Sequence, residues 1–203
     1  MATYDSKKTA FLGTNNEMAT NPGTLVSGLG AGSGVSGVTI TDDIPGGTGI
    51  NTTIITLTDV SQTVTNGTEY QSTKLYDFPD GVIAIIGVSG SVTQTTTSTL
   101  SSTINASSTG AISLGTAAAS STTLSGSAAN ACPSTAFTSS ATINVAGSEI
   151  ELASTGVGYA NGMTTAADLY LNTAYGTTTD VDGNGTQEFN GTIVVKWVLL
   201  GNA

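Results

Sequence analysis

The chain has 203 residues and a formal charge of −10, with no His, no Arg, four lysines (Lys7, Lys8, Lys74, Lys196) and one cysteine. It therefore lacks the imidazole that titrates near neutrality and the guanidinium fork that grips phosphate, which excludes most acid–base catalysis and anion recognition. Charged residues make up 9% of the chain, against a usual share of about 25%, so hydroxyls and amides must cover the surface.

In chain order, residues 1–50 read as a flexible Gly-rich arm. Asn21-Pro22-Gly23 is a turn, and the run from Gly28 to Gly34 has no hydrophobic period. No Gly-Lys-Ser/Thr follows that run, so it is not a phosphate loop. Pro45-Gly46-Gly47 closes the arm, and residues 51–203 form the second unit, a β domain.

Ile54, Thr56 and Thr58 alternate with Ile55, Leu57 and Asp59, as in a half-buried strand. Residues 74–78 lead through Pro79-Asp80-Gly81 into residues 82–86, apolar on both faces as in a central strand. Gly87 and Gly90 predict a bulge or bend in its continuation. Residues 93–109, almost all Thr and Ser, read as a solvent-facing ribbon.

Short strands follow at residues 111–114, 142–145 and 149–152, the last with Glu149 and Glu151 outward and Ile150 and Leu152 inward. In residues 168–175, Leu169, Leu171 and Tyr175 share a face. The final strand places Ile193, Val195, Trp197 and Leu199 on one side, with Trp197 a core anchor whose N–H needs a partner. The best helical candidate, residues 127–131, amounts to one turn. This pattern specifies an all-β chain: an antiparallel β-sandwich, jelly-roll-like, with an extended N-terminal arm.

Few constellations carry chemistry. Asp180-Val181-Asp182-Gly183-Asn184-Gly185 matches the first half of a calcium-binding loop, with Thr186 and Glu188 as further oxygen donors. The twelfth position is Gly191 where the bidentate Glu should stand, so the segment reads either as an acidic hairpin loop or as a weak Ca²⁺ site. Asp42-Asp43 and Asp77 with Asp80 are close in sequence, but pairs inside turns are ordinarily turn-formers. Cys132 can form no intrachain disulfide, and no His can activate it.

Recurrent Thr-x-Thr steps (Thr39/Thr41, Thr56/Thr58, Thr63/Thr65, Thr95/Thr97) have no fixed period and read as exposed strand faces. The acidic balance excludes nucleic acid and anionic lipid as partners. Residues 1–10 lack the apolar core of a signal peptide, which points to synthesis in the cytoplasm.

Three segments in order resemble one family. Lys74-Leu75-Tyr76-Asp77-Phe78-Pro79-Asp80-Gly81 precedes an apolar strand, then comes Ile112-Ser113-Leu114-Gly115-Thr116-Ala117-Ala118. Last comes the tail from Asn190-Gly191-Thr192-Ile193 through Trp197 to Gly201. Together with Thr123-Leu124-Ser125-Gly126 and a Pro133-Ser134-Thr135 turn, they resemble the tailed-bacteriophage head decoration (capsid cement) proteins over residues 55–203.

The resemblance implies a β-sandwich on the outer capsid surface that ties major capsid protein subunits together. It also implies a homo-oligomer (a trimer rather than a dimer), synthesis in the bacterial host, and neither catalytic residues nor a cofactor. The competing expectation is a phage tail-fibre or bacterial surface adhesin, a carbohydrate-binding β module.

Overall fold

The computed structural model describes residues 31–32, 34–43, 49–79, 81–97, 109–139, 144–154, 158–162, 167–176, 181 and 183–201. The strands are β1 (Ala31–Gly32), β2 (Val38–Asp43), β3 (Asn51–Val64), β4 (Tyr70–Asp77), β5 (Gly81–Thr97) and β6 (Thr109–Gly115). They continue as β7 (Cys132–Thr138), β8 (Ala146–Ser154), β9 (Gly158–Gly162), β10 (Asp168–Tyr175) and β11 (Gly185–Gly201). A single 3₁₀ turn, Gly126–Ala128, falls where one helical turn was predicted.

The strands form two antiparallel sheets, ordered β1-β4-β10-β6-β7 and β2-β3-β11-β5-β8, with β9 also on β5. Setting aside β1, β2 and β9, the sheets read β3-β11-β5-β8 and β4-β10-β6-β7. The first and last of the eight strands are neighbours, and the chain passes repeatedly between sheets. That is jelly-roll topology, as the sequence pattern specified.

Period-two alternation explains which face each strand buries. Ile55, Leu57, Val60 and Val64 of β3 meet Phe189, Ile193, Val195 and Trp197 of β11 on the inner side of the larger sheet. Leu75 and Tyr76 of β4, Leu169, Leu171 and Tyr175 of β10, and Ile112 and Leu114 of β6 line the inner side of the other. Trp197 is fully buried among Tyr76 and Phe78, and its indole N–H donates to Thr53 Oγ1 at 2.9 Å.

Three expectations change. The 1–50 arm is not wholly separate from the 51–203 unit: Val38–Asp43 pairs along β3 from Val38↔Leu57 to Asp43↔Thr52, so the sandwich begins before residue 51. Residues 1–30 lie outside the described residues. Thr93 to Thr97 are not a free ribbon but the end of β5, where Gln94 and Thr96 turn inward and are buried; residues 98–108 lie outside the described residues.

Pro133, Ser134 and Thr135 form part of strand β7 rather than a turn. An edge strand tolerates Pro133 because its missing N–H falls where a ladder bond can be spared.

Candidate functional site

The two sheets differ in what covers their outer faces. On the five-stranded sheet, Asn172 of β10 lies on the outward side yet is fully buried. Residues 116–131 fold back over it: Asn172 Nδ2 donates to the carbonyls of Ala117 (3.0 Å) and Ala128 (2.8 Å), and its Oδ1 accepts from Ala119 N–H and Ser72 Oγ. Ser113 Oγ adds a bond to Ala128 O at 2.8 Å. All the amide's capacity is thus spent on holding the loop, as burial of a polar group requires. Sequence reasoning missed Asn172, whose only signal was a polar residue amid an apolar strand.

At the β1 end of this sheet, Lys74 is bound to Asp168 (2.6 Å) and Asp77 (3.3 Å), and Tyr170 O–H donates to Asp168. These charges are consumed by one another.

No such loop covers the larger sheet among the described residues. Strand register assembles lateral rows on its outer side, one of which runs Thr39–Thr56–Thr192–Ser91–Glu151 across β2, β3, β11, β5 and β8. A second runs Ser61–Glu188–Thr95, and a third Thr63–Thr186–Thr97. The Thr-x-Thr steps, irregular along the chain, are therefore brought side by side by pairing.

Glu149 and Glu151 are exposed on β8 as predicted, and Asp59 and Glu188 add carboxylates to the same face. Lys196 is the one cation on this face among the described residues. Asp59, at φ +52, forms a bulge in β3 that Asn190 pins: Asp59 N–H donates to Asn190 Oδ1 (2.8 Å), and Asn190 Nδ2 donates to Asp59 Oδ1 (3.0 Å).

Of the residues named for calcium, Asp180 and Asp182 lie outside the described residues. Asn184 Oδ1 accepts from the backbone N–H of Asn66 at 2.8 Å, Thr186 O accepts from Thr97 Oγ1, and Glu188 stands two residues further along β11. From Gly185 onward the chain is extended strand, so Thr186 and Glu188 stand along one strand rather than curling about a centre. Among the described residues, no group of three or more His, Cys, Asp or Glu could hold a metal ion.

Of the two carboxylate pairs, the described side chains, Asp42 and Asp77, each have partners of their own. Asp42 accepts from Thr53 Oγ1 (2.6 Å) and Tyr76 Oη, and burial raises its pKa despite those bonds. Asp77 pairs with Lys74, and Asp80 lies outside the described residues. Cys132 is buried, burial pushes its thiol up, and Sγ donates to Ala153 O. Every aromatic side chain among the described residues is buried or half-buried.

No protein-family model matches the chain, and no curated protein does. Among solved structures it is similar to a chain of infectious bursal disease virus Gt strain, at TM-score 0.40 and 11% identity over 78% of this chain and 34% of that one. A second likeness is to the infectious bursal disease virus VP2 subviral particle, at TM-score 0.36 and 10% identity, covering 79% and 40% of the two chains. A third is to a chain of the cyanophage Pam1 capsid asymmetric unit, at TM-score 0.35 and 19% identity, covering 77% and 91%. The chain thus spans between a third and two-fifths of the first two. These likenesses are loose, and the jelly-roll assignment rests on the chain's own strand pairings.

Proposed function

We propose that this chain is a non-enzymatic structural virion protein, a decoration or cement protein that docks on the outer surface of a phage head through the open face of its larger sheet. The carrying observation is the contrast between the two outer faces. One is partly covered by the protein's own loop, which lies over Asn172; the other presents, among the described residues, hydroxyl rows, four carboxylates and a single lysine. Such a face complements a basic surface, and with symmetry repeating each contact, many modest interfaces add up.

The partner in this reading is the major capsid protein, and the chain itself acts as a homo-oligomer, a trimer before a dimer. Synthesis takes place in the host cytoplasm. No cofactor enters the role.

The test is co-sedimentation of the purified full chain with expanded heads of its phage stripped of this protein. Saturable binding at a fixed ratio per capsid subunit is expected. Binding to glycan arrays with none to heads would overturn the proposal in favour of an adhesin.

A further inference from the structure

Four Asn-Gly steps fall among the described residues: Asn66-Gly67, Asn161-Gly162, Asn184-Gly185 and Asn190-Gly191. Each is a latent reaction between the glycine backbone nitrogen and the side-chain carbonyl carbon of the asparagine. Glycine favours it because no Cβ shields the attacking nitrogen. The fold decides which step reacts, since attack requires a free amide beside a nitrogen that no strand ladder holds.

Three of the four are held. Asn190 Oδ1 accepts from Asp59 N–H at 2.8 Å and its Nδ2 donates to Asp59 Oδ1 at 3.0 Å. Its neighbour Gly191 lies between Leu57 and Val92 in the middle of the larger sheet. Asn184 Oδ1 accepts from Asn66 N–H, and Gly185 is buried opposite Val64. Asn161 and Gly162 pair with Val82 and Gly81 of β5.

Asn66-Gly67 stands apart, at the tip of the turn between β3 and β4, and both residues are exposed. Thr68 N–H donates to Thr65 O at 2.9 Å to close the turn, and Asn66 commits its backbone N–H, not its side chain, to Asn184. Gly67 holds φ +78°, with open space where a Cβ would stand. Its nitrogen therefore belongs to a surface turn, next to a surface amide.

We propose that Asn66 is a site of self-modification by deamidation. Gly67 N bonds to Asn66 Cγ and gives its proton to solvent, while the Cγ–Nδ2 bond breaks and ammonia leaves, closing a five-membered succinimide. Water then opens the ring at either carbonyl, leaving aspartate or, with the main chain rerouted through Cγ, isoaspartate. No oxidant or reductant enters. Each event replaces a neutral amide with a carboxylate at neutral pH. The isoaspartyl form also lengthens the main chain beside the Asn66–Asn184 bond that ties this turn to the start of β11. The proposal is independent of the capsid reading, so either can fail alone.

The test is incubation of the purified full chain at mildly alkaline pH, with peptide mapping by mass spectrometry and labelling of isoaspartate by a protein isoaspartyl methyltransferase. Conversion at Asn66 is expected to be at least about tenfold faster than at Asn161, Asn184 or Asn190, which open only by local unfolding. Unfolding in urea should bring the four rates together. Gly67→Ala should slow conversion at Asn66 at least about tenfold, because a Cβ shields the nitrogen. Equal native rates, or a faster rate at one of the three held steps, would overturn the proposal. Rates that stay apart in urea would trace the preference to local sequence rather than to the fold, and would overturn it too. So would an Asn66 rate indifferent to Gly67→Ala, which would mean direct hydrolysis of the amide.

Discussion

Gly90 of β5 and Gly191 of β11 flank one cross-strand pair, and at each the backbone of the opposite strand occupies the place of a side chain. A Cβ on Gly90 would stand 2.2 Å from the carbonyl oxygen of Thr192, and one on Gly191 would stand 2.2 Å from that of Ser91. Both glycines hold φ near +150° (+153° and +151°), a region that residues with a side chain rarely adopt. Between them lies the Ser91–Thr192 pair of the long hydroxyl row.

Gly90→Ala and Gly191→Ala should therefore each cost at least about 3 kcal/mol, since strain and a backbone collision act together. In thermal denaturation that corresponds to a loss of roughly 6–12 °C. Gly67→Ala is the control: it has positive φ but open space around its Cβ, and should cost only about 1–2 kcal/mol. Equal losses at all three positions would show that φ alone, and not the close approach, sets the effect.

The core is not wholly apolar, and its polar part gives a second prediction. Gln62 and Gln187 of the larger sheet meet Thr173 and Tyr175 of the other: Thr173 O–H donates to Gln62 Oε1 at 2.7 Å, and Tyr175 O–H to Gln187 Oε1 at 2.5 Å. Gln62 Nε2 goes on to Leu171 O. Tyr175→Phe leaves a buried amide oxygen without that donor, at a cost of about 1–3 kcal/mol.

Burial also pushes the phenols of Tyr175 and Tyr76 far above 10.0. A folded pKa above the unfolded one means that the contribution is complete below pH 10 and is lost as pH rises beyond it. The denaturation midpoint should fall steeply above pH 10, with tyrosinate absorbance from these residues appearing only on unfolding, and more shallowly in Tyr175→Phe. Early tyrosinate signal from a still-folded protein would contradict this.

Much of this molecule was legible from alternation alone. The inner face of β11, the outward Glu149 and Glu151, and the central placement of residues 82–86 follow from period-two patterning that the sandwich simply obeys. What stayed hidden depends on pairing between distant segments. The Thr-x-Thr steps become rows only when β2, β3, β11 and β5 align. Asn172 looks like any polar strand residue until residues 116–131 are laid over it. Val38–Asp43 was hidden by the glycines around it.

A chain of hydrogen bonds ties β2 to the aromatic core: Trp197 Nε1 donates to Thr53 Oγ1, which donates to Asp42 Oδ1, where Tyr76 O–H also arrives. Thr53→Val strips Trp197 of its acceptor and Asp42 of a donor, and should cost about 2–4 kcal/mol. Asp42→Asn should cost far less. Burial raises the Asp42 pKa, so its contribution to stability is greatest below 3.8 and declines as pH rises through the folded value. At neutral pH a neutral amide gives up little. Urea unfolding followed by the fluorescence of the only tryptophan measures both, and an Asp42→Asn loss matching that of Thr53→Val would refute this ordering.

The open face makes the most direct prediction about function. Glu149 and Glu151 project from β8, beyond the last hydroxyl of the Thr39–Ser91 row, and are exposed. Charge reversal there (Glu149→Lys with Glu151→Lys) leaves the inward Ile150 and Leu152 untouched, so the thermal midpoint should stay close to the wild-type value. If this face docks on a basic partner, wild-type binding to heads should weaken as salt rises, because exposed charges are screened beyond about 10 Å at 0.1 M. The double variant should then bind at least tenfold more weakly at low salt, with most of its salt dependence gone. Reversal of Lys74→Glu, on the covered sheet, should leave head binding intact. Equal loss from both changes would show that this face is not the determinant.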